Sequence, residues 1–131
     1  MGKTYLLDTN IVIYTINGTI KTTESVHLIE AAKKPAILSV ISKIELLGWK
    51  APNQKEETDL KTFVNNSLVI GLSENIVNRT IELRRSLKIK LPDAIIAATA
   101  LENNSILLTR NDSDFSKIPN LTCIDPFIVE F

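Results

Sequence analysis

Five acidic residues stand at the boundaries of apolar runs. Asp8 follows the run over residues 4–7, Glu45 comes shortly after residues 35–40, Asp93 heads residues 91–101, and Asp112 and Asp114 lie just beyond residues 105–109. Carboxylates crowded at one partly buried edge repel, and without a counter-charge some take up protons. A divalent cation removes that conflict. His27 is the only histidine and Cys123 the only cysteine, so the ligands on offer are oxygens, which suits magnesium or manganese and not zinc. One or two such ions can activate a water, align it on a phosphorus and stabilise the leaving oxygen, a chemistry of phosphodiester hydrolysis. Thr9, Asn10, Thr109, Arg110 and Asn111 flank the acids with donors that can orient carboxylates or hold a phosphate.

That chemistry needs elements that bring distant residues together. Residues 4–7, 35–40, 68–70 and 105–109 read as strands, apolar on both faces as in a parallel sheet covered on both sides, with a last short strand over residues 121–124. Helical stretches lie between them. The first passes through Ile11, Val12 and Tyr14 and ends near Asn17-Gly18; the second runs from about Thr23 to Lys34 and is closed by Pro35. A third starts at Ser42, and a polar fourth is capped by Asn53, with Leu60, Phe63 and Val64 as its apolar stripe. Ser73 caps the fifth, with Ile76, Thr80, Leu83 and Leu87 at helical spacing, and the sixth has Pro92 at its first position and a left-handed turn at Asn103-Asn104.

Strands alternating with helices predict one α/β domain over residues 1–131, a three-layer α/β/α sandwich around a mainly parallel sheet of four to five strands. A helix that follows a strand starts at the strand's carboxyl edge, which puts Asp8, a first-turn Glu45, Asp112 and Asp114 there. The helix headed by Asp93 feeds by a short turn into residues 105–109, so it runs opposite to that strand and begins at the same edge. In parallel sheets, ligands bind beyond that edge.

Each residue also has a plainer use. Asp8 suits a helix cap. Ser42-Lys43-Ile44-Glu45 is a capping box, in which Glu45 folds back onto the Ser42 amide, although such a Glu can serve a metal as well. Arg79, Arg84, Arg85, Lys88 and Lys90, set against a lone Glu82, either face water near a helix C-terminus or contact phosphate. His27 reads as a helix surface or edge residue, and Trp49 as core or an oligomer contact in preference to a base-stacking ring.

Composition removes several classes. With 15 basic and 15 acidic residues the formal charge is zero, so no global basic field holds nucleic acid and any polyanion must be held locally. A single cysteine cannot form an internal disulfide, and Asp8 interrupts the only early apolar run, so the expectation is a cytoplasmic protein without a secretory signal or membrane span. Asp8-Thr9-Asn10 lacks the second Asp of an aspartyl-phosphate phosphatase, and no Gly-rich phosphate loop is present.

Taken in order, Leu7-Asp8-Thr9-Asn10, Ser39-Val40-Ile41-Ser42 leading to Glu45-Leu46 and Gly48, Leu91-Pro92-Asp93-Ala94 with its alanine-rich continuation, and Leu108-Thr109-Arg110-Asn111 with Asp114-Phe115 resemble the PIN domain, and within it the VapC-type toxins of toxin–antitoxin pairs. The likeness spans nearly the whole chain. It implies a magnesium- or manganese-dependent endoribonuclease acting on RNA, usually a homodimer, held inactive by an antitoxin in its groove. It also implies that Asp8, Glu45 and Asp93 occupy three acidic positions of the family, with Asp114 preferred for the fourth and Asn111 or Asp112 as the other candidates. Residues 42–66 would form a clip shaping the substrate groove or the dimer contact. Two other readings are a PIN-like binding module that has lost activity and a magnesium-dependent nuclease acting on DNA.

Overall fold

Tyr5, Leu6 and Leu7 are all buried although neighbouring side chains of a strand point to opposite faces, so both faces of this strand are covered. The computed structural model describes residues 3–21 and 25–127. Its elements, in chain order, are β1 (Tyr5–Leu7), α1 (Thr9–Ile16), α2 (Val26–Ala32), β2 (Ile37–Ser39), α3 (Val40–Gly48), α4 (Gln54–Asn65), β3 (Leu68–Ile70), α5 (Glu74–Ser86), α6 (Leu91–Glu102), β4 (Ile106–Leu108), α7 (Asp112–Phe115) and β5 (Cys123–Ile124). The sheet has five strands in the order β3-β2-β1-β4-β5, and every pairing is parallel. Leu6 lies opposite Ile37 on one side and Leu107 on the other.

The alternation along β1 divides the interior in two. Leu6 and Leu107 pack with Ile76 and Leu83 of α5, Ile96 of α6 and Phe115 of α7. Tyr5, Leu7, Leu38 and Leu108 pack with residues of the helices between β1 and β3, among them Ile11, Leu28, Leu46 and Leu60. Helices therefore cover both faces, giving the expected three layers. In α6 every residue from Ala94 to Ala100 is buried, which small side chains allow because they let the helix lie close to sheet and neighbour at once.

Several boundaries differ from the sequence reading. Ser39, at the end of β2, caps α3 by accepting from the Ile41 amide at 3.2 Å, so the helix begins at Val40 without a linker. Ser42 is therefore inside the helix, Glu45 falls in its second turn, and no capping box forms between them. Lys90 is the cap residue of α6, so Pro92 occupies the second helical position instead of the first. Ser25 caps α2, and the expected start at Thr23 lies outside the described residues. Trp49 follows the last residue of α3 and is exposed, not core. Gly18 and Asn104 do take the left-handed conformation, with φ of 79° and 50°. Among the described residues, no helix is long and apolar enough to cross a membrane.

Candidate active site

From β1 the chain steps outward to β2 and β3, then returns to place β4 on the other side of β1. The connections leaving β1 and β4 diverge, and that divergence opens the crevice in which parallel sheets take ligands. Asp8 stands at the end of β1 and Thr109 at the end of β4. The Asp8 amide donates to the Leu108 carbonyl at 3.0 Å, and the Thr109 hydroxyl donates to Asp8 Oδ2 at 2.8 Å. Asp8 Oδ1 accepts from the Thr9 amide at 2.8 Å, so the same carboxylate also caps α1. Burial pushes the Asp8 carboxyl above the usual carboxylate range; the bonds from Thr109 and Thr9 pull it back, and the charge of Glu45 adds to the rise.

Glu45 is drawn in through Thr9. The buried Thr9 hydroxyl donates to Glu45 Oε1 at 2.7 Å and lies 2.9 Å from the Ser42 hydroxyl. One residue thus holds two acids, its amide on Asp8 and its hydroxyl on Glu45. Asp93, half-buried in the first turn of α6, has its carboxyl pushed up by burial, by the charges of Asp8 and Asp114 and to a smaller extent by Glu45, with Lys90 opposing the rise. Four carboxylates from four elements share one electrostatic field.

Asp114 and Asp112 part company in α7. Asn111 Nδ2 donates to Asp114 Oδ2 at 3.0 Å, while the Asn111 amide donates to Thr109 Oγ1 at 2.9 Å, which links Asp114 through Asn111 and Thr109 to Asp8. Asp112 is exposed and accepts instead from the Cys123 thiol at 3.5 Å, outside the set of charges that act on Asp93. Asn10 is exposed. The Arg110 guanidinium sits 4.1 Å from the centre of the Phe127 ring and 3.8 Å from Asp125 Oδ2, and Phe127 meets Tyr14 edge-on at 5.5 Å. Arg110 is therefore anchored on the segment after β5 and not on the acids.

Two neighbours of the acids were missed in the sequence. Ser42 shares a helix face with Glu45 because the two are three residues apart, but the capping-box reading used up that same spacing. Lys90, three residues before Asp93, was grouped with the surface cations and not with the acid it faces.

The donors at this edge fit a hard divalent ion by their chemistry: carboxylate, hydroxyl and amide oxygens, with two carboxyls whose charge is poorly compensated. Among the described residues, however, no three His, Cys, Asp or Glu side chains are grouped as a ready cage for an ion. The reason is local. Asp8, Glu45 and Asp114 are each engaged by a hydroxyl or amide donor of the chain, and four like charges gain nothing by closing on one another.

Residues 5–121 match the family model of the PIN domain. Ribonuclease VapC2 of Rickettsia felis is 31% identical, over 89% of this chain and 93% of that protein. Among solved structures, VapBC2 from Rickettsia felis, bound to a DNA fragment from its promoter, superposes with a TM-score of 0.77 at 27% identity, covering 92% of this chain and 97% of that one. A toxin–antitoxin complex from Klebsiella pneumoniae gives 0.72 at 28% identity, covering 98% and 100%.

Proposed function

The chain belongs to the PIN domain family, and from that premise we propose that it is a ribonuclease that hydrolyses RNA phosphodiester bonds as the toxin of a toxin–antitoxin pair. The observation that supports this most is the hydrogen-bonded chain that ties Glu45 through Thr9 to Asp8, and Asp8 through Thr109 and Asn111 to Asp114, residues far apart in sequence, with Asp93 within reach of their charges. The ribonuclease name of the Rickettsia relative and the toxin–antitoxin assemblies among the structural neighbours favour the same reading.

In this reading Asp8 and Asp93 are the main ligands of a magnesium or manganese ion, with Glu45 and Asp114 completing the set and Asp112 as an outlying candidate. Such an ion supplies a lowered pKa for water and a counter-charge for the phosphate. The chain's own part is orientation. Thr9 and Thr109 fix the Asp8 carboxylate, Asn111 fixes Asp114, and Asn10, Arg110 and Asn111 meet the RNA backbone. For the antitoxin, this reading assigns a cavity of about 480 Å³ bounded by α1, α2 and α4, whose lining includes Ile16, Leu28, Ala31, Ala36 and Phe63 but none of the four acids. For a second copy of the chain it assigns apolar surface on α5, where Val77 and Ile81 are exposed one turn apart, and on α3, where Ile44 and Leu47 are exposed.

The test is incubation with a panel of transfer and messenger RNAs, with magnesium or manganese and with a chelator. Site-specific cleavage that the chelator stops, and that Asp8→Asn and Asp93→Asn lose, is the expected result. Cleavage that persists in either variant overturns the assignment.

A further inference from the structure

The turn between α5 and α6 concentrates positive charge that no ion pair among the described residues takes up. Arg84, Arg85, Lys88 and Lys90 fall within residues 84–90, and all four are exposed. Lys117, just beyond α7, joins them, because its ammonium donates to the Lys88 carbonyl at 2.7 Å. Arg84 also spends a donor on backbone, the Ile89 carbonyl at 3.3 Å. The ion pairs among the described residues use Lys33, Lys55, Arg79 and Arg110, and none uses these five cations.

A helix C-terminus favours cations, which accounts for Arg84 and Arg85 in the last turn of α5. It does not account for Lys88, and it works against Lys90. Lys90 sits at the N-cap of α6, where the helix dipole disfavours a cation and where no side-chain cap bond is made. The arrangement sets an ammonium three residues from Asp93. Leu91 beside it is 51% exposed, an apolar side chain facing water at the rim of the acidic edge. Because Asp93 stands in the first turn of α6 and the charge of Lys90 acts on it, the end of this turn that enters α6 adjoins the acids.

We propose that the turn from Arg84 to Leu91, together with Lys117, is the track along which a single RNA strand reaches the acidic edge, its phosphates held by Arg85, Lys88 and Lys90 and a ribose or base resting on Leu91. This deepens the ribonuclease reading and rests on it. A protein of zero net charge holds a polyanion through a local concentration of exposed cations outside the ion pairs of the described residues. Arg79 lies off the track, since its guanidinium is bound to Glu102 at 2.6 Å.

The probe is a fluorescent 2′-O-methyl RNA oligonucleotide, which binds without being cut, titrated by anisotropy over a range of salt with and without magnesium. Replacing Arg85, Lys88 and Lys90 together by glutamine weakens binding about tenfold at low salt and lowers the slope of log affinity against log salt by about two, three phosphate contacts at roughly 0.7 each. With cleavable RNA the same variant raises KM far more than it lowers kcat. The same loss of charge ahead of β1 and β2, Lys3→Gln with Lys33→Gln and Lys34→Gln, all exposed, leaves binding and cleavage as they are. An unchanged affinity and salt slope in the triple variant, or a wild-type chain that does not bind the probe, overturns the track. A wild-type chain that binds the probe with the expected slope but cuts no RNA overturns the ribonuclease reading and leaves the track standing.

Discussion

Thr109 and Asp8, 101 residues apart, are joined by a buried hydrogen bond of 2.8 Å between hydroxyl and carboxylate. The bond closes the point at which β1 and β4 meet side by side and the chain leaves them in different directions. Removing it exposes how much of the site depends on that closure. Thr109→Val keeps the shape and leaves Asp8 Oδ2 without its donor, at a cost of about 1–2 kcal/mol in a denaturant titration. Since the bond holds the Asp8 carboxyl down, its loss moves ionisation to higher pH, and the acid limb of the pH–rate profile shifts upward. Thr109→Ser restores both. A profile that does not move in Thr109→Val shows that Asp8 ionisation does not limit the rate.

The raised carboxyls of Asp8 and Asp93 set the pH dependence of the metal-free chain. Both hold their protons to higher pH in the folded state than in the unfolded one, where the value is near 3.9. Between those limits the folded chain binds more protons, so the contribution to stability is full below the unfolded value, falls as pH rises through the folded one and stays low above it. Thermal melts of chelated protein therefore lose Tm as pH rises from the unfolded carboxylate value through the raised folded ones. Asp93→Asn flattens that loss and raises Tm at neutral pH.

A divalent ion acts in the opposite sense at neutral pH. Bound only by the folded chain, it stabilises by about 2.7 kcal/mol at a hundred times its Kd. Calorimetry with magnesium or manganese is expected to show that gain in the wild type and its loss in Asp8→Asn and Asp93→Asn. Thr9→Val, which releases Glu45 while leaving the Thr9 amide on Asp8, weakens ion affinity about ten- to a hundredfold, the usual cost of removing a residue that orients a ligand. Equal stabilisation of wild type and Asp93→Asn by the ion refutes a shared site.

Much of this was legible in the residues themselves. Alternation of apolar runs with capped helices gave the parallel sheet, the rule that helices begin at the carboxyl edge of the preceding strand brought Asp8 and Asp114 to one rim, and the short turn from α6 into β4 brought Asp93 there. The helix start at Ser39 was not legible. Residues 39–42 offer two serines, either of which can cap, and only the length of β2 decides between them. Choosing Ser42 turned Glu45 into a first-turn cap, whereas in the fold it stands one turn later and is held across elements by Thr9. The choice between Asp112 and Asp114 was open for a similar reason. Both lie in one short helix, and which of them looks inward depends on where that helix starts, which the sequence leaves free by a residue or two.

Arg110 carries the last test, because its position is set by a residue outside the acidic cluster. The guanidinium rests on the Phe127 ring at 4.1 Å, and that ring is steadied by Tyr14. A cation over an aromatic face is worth about 0.5–1 kcal/mol at an exposed site, and the Asp125 carboxylate at 3.8 Å adds direction more than energy. If Arg110 holds a phosphate of the RNA, then Phe127 is a positioning residue. Phe127→Leu frees the arginine without removing its charge and raises KM a few-fold with kcat nearly unchanged, while Phe127→Tyr, which keeps an aromatic face, restores KM. Arg110→Gln on the Phe127→Leu background then adds less than it does alone, because part of its contribution has already gone. Strict additivity of the two changes in KM separates Phe127 from Arg110 and leaves the ring a purely structural part of the packing against α1.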